Sequence, residues 1–268
     1  MTRLKPAPLT VFMYHDIVES GAPIDDSHRP YAVTTDQFRR QLQALARAGI
    51  TGRRLDRHLD PGAETLGRAC VMTFDDGHAS NCTHALPILV EAGFRATFFI
   101  TAGWVGSAPY MTWDQIRSLA QAGMEIGSHS MTHRPPALLT AAELDSEMRD
   151  SKKLLEDRLG QAVVTASSPT GFFNPGMISA ARAAGYRALC YGRIGVWDGR
   201  AAQAAIPRIP VKPGDDADRV LRMAFGDRLL IGSMRARQAV RNGLKKGLGV
   251  DRYLRLRRSV LSLLRPPS

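Results

Sequence analysis

With 268 residues, 44% of them hydrophobic and 23% charged, the chain can bury a core without covalent staples, and its composition excludes a disordered or fibrous protein. Its three cysteines, Cys70, Cys82 and Cys190, show no C-x-x-C spacing, which argues against a disulfide framework and predicts small buried hydrophobes in a reducing compartment. The formal charge is +11, but from Arg235 onward ten Lys or Arg face one acid, so that segment carries +9 and the first 234 residues about +2.

Residues 9–14 are apolar and rich in β-formers, which predicts a buried strand ending at His15 and Asp16. Those two polar residues break the N-terminal apolar stretch. It is too short and too polar for a leader or a membrane span, so a cytoplasmic location is expected. A Gly/Pro/Asp/Ser loop follows over 20–30. Thr35 is then expected to cap a helix, with Phe38, Leu42 and Leu45 on one face and Gly49 as its stop. A strand over 69–74 runs into Asp75-Asp76-Gly77. A helix over 81–92 and a strand over 96–100 come next. Thr112 caps a helix to Ala122, and a strand over 124–127 leads to Ser128-His129. Thr140 opens a long amphipathic helix to Leu159, with Leu144, Met148, Leu154 and Leu155 facing inward. Strands are predicted over 163–167, 186–190 and 229–231, with a helix over 175–184.

This alternation predicts parallel β-α units, closed as a barrel or opened as a doubly wound sheet. The polar residues gather where strands end: His15, Asp75-Asp76, His129 and Pro169-Thr170-Gly171. In a β/α barrel those ends form one rim, where active sites lie.

His129 and His133 stand four residues apart, which on a helical turn places both imidazoles within reach of one ion. A carboxylate from another strand end would complete a two-His, one-carboxylate site with positions left for water. Asp75 and Asp76 cannot easily share one task, because adjacent like charges resist joint ionisation. One can hold a cation while the other stays free as a base, and Gly77 permits the turn that exposes them. Each motif alone also has an ordinary explanation, as unrelated histidines or as a turn after a strand. His78 is a candidate pocket-liner, and His28, His58 and His84 are expected in solvent. Trp104, Tyr110 and Trp113 are candidates for stacking on sugar rings, with core or lid packing as the alternative.

Taken together, Thr73-Phe-Asp75-Asp76-Gly77 and His129-Ser-Met-Thr-His133, with strand-helix units between, resemble the polysaccharide deacetylase family, the NodB-homology group or carbohydrate esterase family 4. The resemblance covers residues 9–231 and includes Y-H-D-I, A-T-F-F-I, T-W-D-Q-I, G-M-E-I-G-S-H-S and A-G-Y-R-A. It implies a distorted (β/α) barrel that removes N-acetyl groups from an amino sugar. Asp76, His129 and His133 would be ligands of a divalent ion, usually zinc, with cobalt, nickel or manganese as substitutes. Asp75 would be the base for a metal-held water. The family's third motif, R-x-P-Y-G, reads Ser167-Ser168-Pro169-Thr170-Gly171 here. Its arginine is absent, with Arg134 as a conceivable substitute. Thr170 stands at the tyrosine position, where a backbone N–H still serves an oxyanion between Pro169 and Gly171. The fifth-motif histidine is missing from Leu230-Ile231-Gly232-Ser233. The Tyr14-His15-Asp16 opening is similar to that of exopolysaccharide deacetylases, which implies His15 as the general acid. The two losses leave a rival reading, an inactive saccharide-binding or scaffolding relative.

Two domains are expected: a catalytic body over 1–234 and a basic amphipathic tail over 235–268. Val240, Leu244 and Leu248 recur every four residues, and Tyr253, Leu254, Val260, Leu261 and Leu264 extend the stripe among arginines. Gly243, Gly247 and Gly249 weaken its first half as a helix, and Asp251 is placed to cap a second. Such a segment predicts an anionic membrane surface as partner, with a helix packed on the barrel and its arginines in water as the alternative. No nucleic acid is expected, because no aromatic platform or motif accompanies the charge. A substrate carried on a lipid or a nucleotide would suit that location.

Overall fold

Short apolar strands alternate with helices along the computed structural model, which describes residues 9–21, 29–59, 68–171, 174–198 and 204–248. The strands are β1 (Thr10–Tyr14), β2 (Ile17–Val18), β3 (Val33–Thr34), β4 (Ile50–Arg53), β5 (Arg68–Phe74), β6 (Thr97–Ile100), β7 (Glu125–Ser128), β8 (Thr165–Ser167), β9 (Ala188–Tyr191), β10 (Ala204–Pro207) and β11 (Ile209–Pro210). The helices are α1 (Thr35–Arg47), α2 (Leu86–Glu91), α3 (Trp113–Gln121), α4 (Ala141–Leu159), α5 (Pro175–Ala183), α6 (Ala217–Ala224) and α7 (Arg228–Leu248). The chain divides into two compact units between Asp227 and Arg228.

In the first unit the main sheet runs β10-β9-β8-β7-β6-β5-β1-β11, and all of its pairings are parallel. β4 occupies the N-terminal half of one edge of β5, and β6 takes the C-terminal half. The two ends of this order, β10 and β11, are separated in sequence only by Arg208. One run of chain therefore pairs with β9 through its first half and with β1 through its second, which closes the sheet into a distorted barrel. Parallel strands buried on both faces should be apolar throughout, and β6 and β9 are buried at every position.

Helix ends follow local chemistry. Thr34, one residue before the expected cap, takes the Gln37 N–H at 3.2 Å and starts α1. Thr112–Gln115 and Thr140–Glu143 form reciprocal capping boxes on α3 and α4. Gly160 ends α4 at φ 65°. The helix expected over 81–92 begins instead with a wider π turn, Asn81–Ala85, before α2. On α4, Leu144, Met148 and Leu155 are buried as expected, while Leu154 is half-buried. Cys70 and Cys190 are buried, Cys82 is half-buried and all three are free; burial pushes the first two thiols up to about 12.

The late strand is not where the sequence placed it. Residues 229–231 are not a strand; they form the first turn of α7. Three consecutive apolar residues carry no period, so strand and helix are indistinguishable there. The late strand lies instead at 204–210, where two prolines disguise it.

Packing between β7 and its neighbours is tight enough to test. A Cβ on Gly127 would lie 2.5 Å from the Phe99 ring and 2.8 Å from Thr165 Oγ1. Gly127→Ala is expected to lower unfolding free energy by about 1–3 kcal/mol through overpacking, read as a lower urea midpoint at unchanged m-value.

Candidate active site

β5 runs directly into the acid pair. The Asp75 N–H donates to the Tyr14 carbonyl at 3.0 Å, continuing the ladder with β1, so the sheet itself aims this residue. Asp76 then leaves the strand at φ 73° and Gly77 follows at φ 83°. These turns separate the carboxylates: Asp75 is buried and Asp76 half-buried.

β7 delivers His129, whose N–H donates to the Ile100 carbonyl at 2.8 Å. His129 Nε2 lies 3.2 Å from Asp76 Oδ1 and 3.9 Å from Asp75 Oδ2, and His133 Nε2 also lies 3.2 Å from Asp76 Oδ1. The two histidines do not share a helical turn. Residues 129–133 form an irregular loop in which Ser130 and His133 take φ of 67° and 59°. Among the described residues, Asp76, Ser130, His133 and Thr170 are the non-glycines with left-handed φ, and all four sit at these strand ends. Each such conformation costs roughly 1–3 kcal/mol and persists only where its surroundings hold it.

The donor set suits a cation. His129 Nδ1 is 3.0 Å from the Ser167 carbonyl oxygen. That oxygen only accepts, so Nδ1 carries the proton, and in the neutral ring that a metal ligand requires the lone pair lies on Nε2. Asp76 Oδ1, which this lone pair faces, is buried and has no hydrogen-bond partner among the described residues. The ligand atoms of Asp76, His129 and His133 all lie within 4.8 Å of one another. Two imidazoles and one carboxylate make three protein ligands, the number of a catalytic rather than a closed four-ligand structural site. Burial pushes the Asp76 carboxyl up, but the two imidazoles and His15 outweigh it and hold it well below the usual range.

Asp75 is held by a residue that the motifs did not reveal. Arg208, wholly buried at the seam between β10 and β11, donates Nη1 to Asp75 Oδ1 and Nη2 to Asp75 Oδ2, both at 2.7 Å. The same nitrogens reach Thr73 Oγ1 at 3.0 Å and Ser167 Oγ at 2.7 Å. Ser167 is the position at which the resembled family carries its arginine. The serine hydroxyl here touches a guanidinium arriving from another strand. Arg134 does not substitute; it pairs with Glu143 at 2.9 Å. Burial pushes Asp75 up, but the Arg208 charge, then His129, the Arg208 hydrogen bonds and His15, hold it below the ordinary carboxylate range. A signal for Arg208 was present in the sequence, as the one cation inside the run Ala205-Ile-Pro-Arg-Ile-Pro-Val211.

His15 is half-buried with its ring 4.8 Å from Tyr31, close enough for its charge to lower both Asp75 and Asp76. The Pro169-Thr170-Gly171 turn follows β8 after Ser168; Pro169 is buried, Thr170 is exposed at φ 59°, and the Gly171 carbonyl accepts the Gly192 N–H at 2.9 Å. Trp104 lies 4.9 Å from His133 and 4.5 Å from Tyr110, so both rings flank the site. Trp113 instead lies under the Arg158 guanidinium, at 5.6 Å. His78 Nδ1 is 2.8 Å from Ser80 Oγ, and His84 Nδ1 2.9 Å from the Ile17 carbonyl. His58 and His84 are half-buried rather than solvated, and His28 lies outside the described residues. Leu230-Ile231-Gly232-Ser233 belongs to α7, not to a strand end.

The sequence profile described as polysaccharide deacetylase matches residues 62–189. A Bacillus subtilis protein named putative polysaccharide deacetylase YxkH is 30% identical over 213 residues, covering 78% of this chain and 74% of its own length. A Bacillus cereus peptidoglycan-N-acetylglucosamine deacetylase is 28% identical over 121 residues, 45% of this chain and 54% of that protein, so the matched stretch spans about half of its length. The solved Streptococcus pyogenes deacetylase PplD, in complex with acetate, shares the fold at a TM-score of 0.74 with 24% identity, over 81% of this chain and 98% of that one.

Proposed function

The chain belongs to the polysaccharide deacetylase family; on that premise we propose that it hydrolyses the N-acetyl amide of an amino sugar with a divalent ion held by Asp76, His129 and His133. The observation that carries this is Asp76 Oδ1 facing two imidazole nitrogens, each at 3.2 Å, beside a carboxylate clamped by Arg208. Zinc is first among the candidate ions by ligand type, with cobalt, nickel or manganese able to serve.

Asp76, His129 and His133 would hold the divalent ion, which would supply Lewis-acid polarisation of the acetyl carbonyl and a lowered pKa for water. Asp75 receives the proton of the attacking water; Arg208 keeps it ionised and fixes both carboxylate oxygens. His15 delivers a proton to the departing amine, a role suited to imidazole near neutral pH. The Pro169-Thr170-Gly171 turn presents the Thr170 backbone N–H to the carbonyl oxygen as charge develops there. Arg208 also weakens the rival reading of an inactive relative, since an arginine does face the base.

The test is acetate release from N-acetylglucosamine oligomers. Prolonged chelation followed by removal of the chelator is expected to cut the rate by on the order of 100-fold or more, and added zinc to restore it. Full activity in metal-stripped protein would sink the metal role.

We also propose that the basic C-terminal segment meets an anionic membrane surface, which would hold the enzyme at the cytoplasmic face near a lipid- or nucleotide-linked precursor. α7 contains six Lys or Arg and no acid, and Leu229 and Val240 are 85% and 68% exposed. Among the described residues no helix is long and apolar enough to cross a membrane. Residues 249–268, the second half of the expected amphipathic tail, lie outside the described residues. A basic helix with exposed aliphatic residues binds at the lipid interface. Replacing Arg237 and Arg241 with Gln should lower partition onto phosphatidylglycerol vesicles roughly fivefold per residue. Equal binding to neutral phosphatidylcholine vesicles would count against the proposal.

A further inference from the structure

The loop that presents His133 is bracketed by two left-handed residues, Ser130 and His133. Something must hold it there, and the holder is on α4. Glu147 is 7% exposed. Its Oε2 accepts the backbone N–H groups of Met131 and Thr132, each at 2.8 Å, and its Oε1 accepts the Thr132 hydroxyl. A helical glutamate ordinarily points into water; this one spends both oxygens on two consecutive loop residues. Other bonds complete the loop. The His133 N–H donates to Ser130 Oγ, and the Ser130 N–H to Ser128 Oγ, both at 3.2 Å. The Ser130 and Met131 carbonyls accept the Ala102 and Gly103 N–H groups at 3.1 and 2.9 Å. Without Glu147, two loop N–H groups immediately before the left-handed residue His133 lose their acceptor.

We propose that Glu147 is a positioning residue for the metal centre, holding the loop so that His133 Nε2 stays 3.2 Å from Asp76 Oδ1. α4 thereby governs how tightly the ion is bound, although none of its residues belongs to the ligand set. This rests on the reading of Asp76, His129 and His133 as ligands, and the experiment separates the two ideas.

Affinity of the full-length chain for cobalt(II) is measured by competition with a chromophoric chelator, together with the visible spectrum of the bound ion. Outer-shell partners of metal ligands typically contribute 10–100-fold in affinity. Glu147→Ala is expected to weaken binding by about that factor and to change the cobalt spectrum as His133 drifts. Glu147→Gln, which keeps one carbonyl oxygen for the two N–H groups, should recover part of the loss. Thr132→Val, which removes only the hydroxyl, should show a smaller effect in the same direction. Wild-type affinity and spectrum in Glu147→Ala would overturn the proposal. Should that variant fail to fold, unchanged affinity in both Glu147→Gln and Thr132→Val would overturn it equally. Absence of stoichiometric cobalt binding by the wild type would instead overturn the metal-centre reading itself.

Discussion

Replacing Arg208 with methionine is expected to destabilise the protein by about 3–5 kcal/mol and to move the acidic limb of its kcat/KM profile to higher pH. Arg208 and Asp75 are both buried and joined by two 2.7 Å bonds. Removing one member of such a pair strands the other charge in a poorly solvated site, which accounts for the size of the loss. The direction of the pH effect follows from the shift. In the wild type, burial raises the Asp75 pKa, but Arg208 and its neighbours outweigh burial and hold it below its ordinary value. Its stabilising contribution is therefore present above the unfolded pKa and fades as pH falls through the folded one. With the guanidinium gone, burial prevails and the carboxyl rises. The base then ionises only at higher pH, and the variant's stability falls, rather than rises, as pH increases through that range. Urea unfolding at two pH values and a kcat/KM profile read both effects. An unshifted acidic limb in a folded variant would separate Arg208 from the base.

Asp75→Asn should lower kcat by roughly 10²–10⁴-fold, the usual contribution of a positioned general base, while leaving metal affinity nearly intact. The separation of roles rests on distance. Asp76 Oδ1 is 3.2 Å from both imidazole nitrogens, whereas Asp75 Oδ2 is 3.9 Å from His129. Asparagine keeps the shape but cannot take a proton from water, and its amide turns a donor toward Arg208. A matching loss of bound zinc would reassign Asp75 as a ligand. Parallel measurement of kcat and zinc content, with circular dichroism as a check on folding, distinguishes the two.

Most of what positions the rim was legible in the sequence because the chain repeats one pattern, a short apolar run followed by polar residues and a helix. That pattern located the ends of β1, β5, β7 and β8, and so brought His15, Asp75, Asp76, His129 and the Pro169 turn to one end of the barrel. Two features escaped. The strand pair β10 and β11 contains Pro207 and Pro210, residues that argue against a strand unless a ladder edge tolerates them. With it went Arg208, since a cation in an unassigned loop gives no reason to expect a partner 133 positions away. The clamp on residues 131 and 132 was equally hidden. Glu147 reads as one charge among many on an amphipathic helix, and only the loop's arrival turns it inward. The histidine spacing predicted convergence correctly but through the wrong geometry, because left-handed turns at Ser130 and His133 do what a helical turn was expected to do.

The central claim, hydrolysis of an N-acetyl amide, is tested most directly by counting both products. Zinc-loaded protein would be incubated with N-acetylglucosamine oligomers and with lipid- and nucleotide-linked acceptors, and released acetate and newly exposed primary amine would be quantified in the same samples. Equal amounts of acetate and amine, absent with Asp75→Asn, are the predicted result. Acetate without amine would mean ester cleavage, and neither product from any acceptor by zinc-loaded protein would contradict the account.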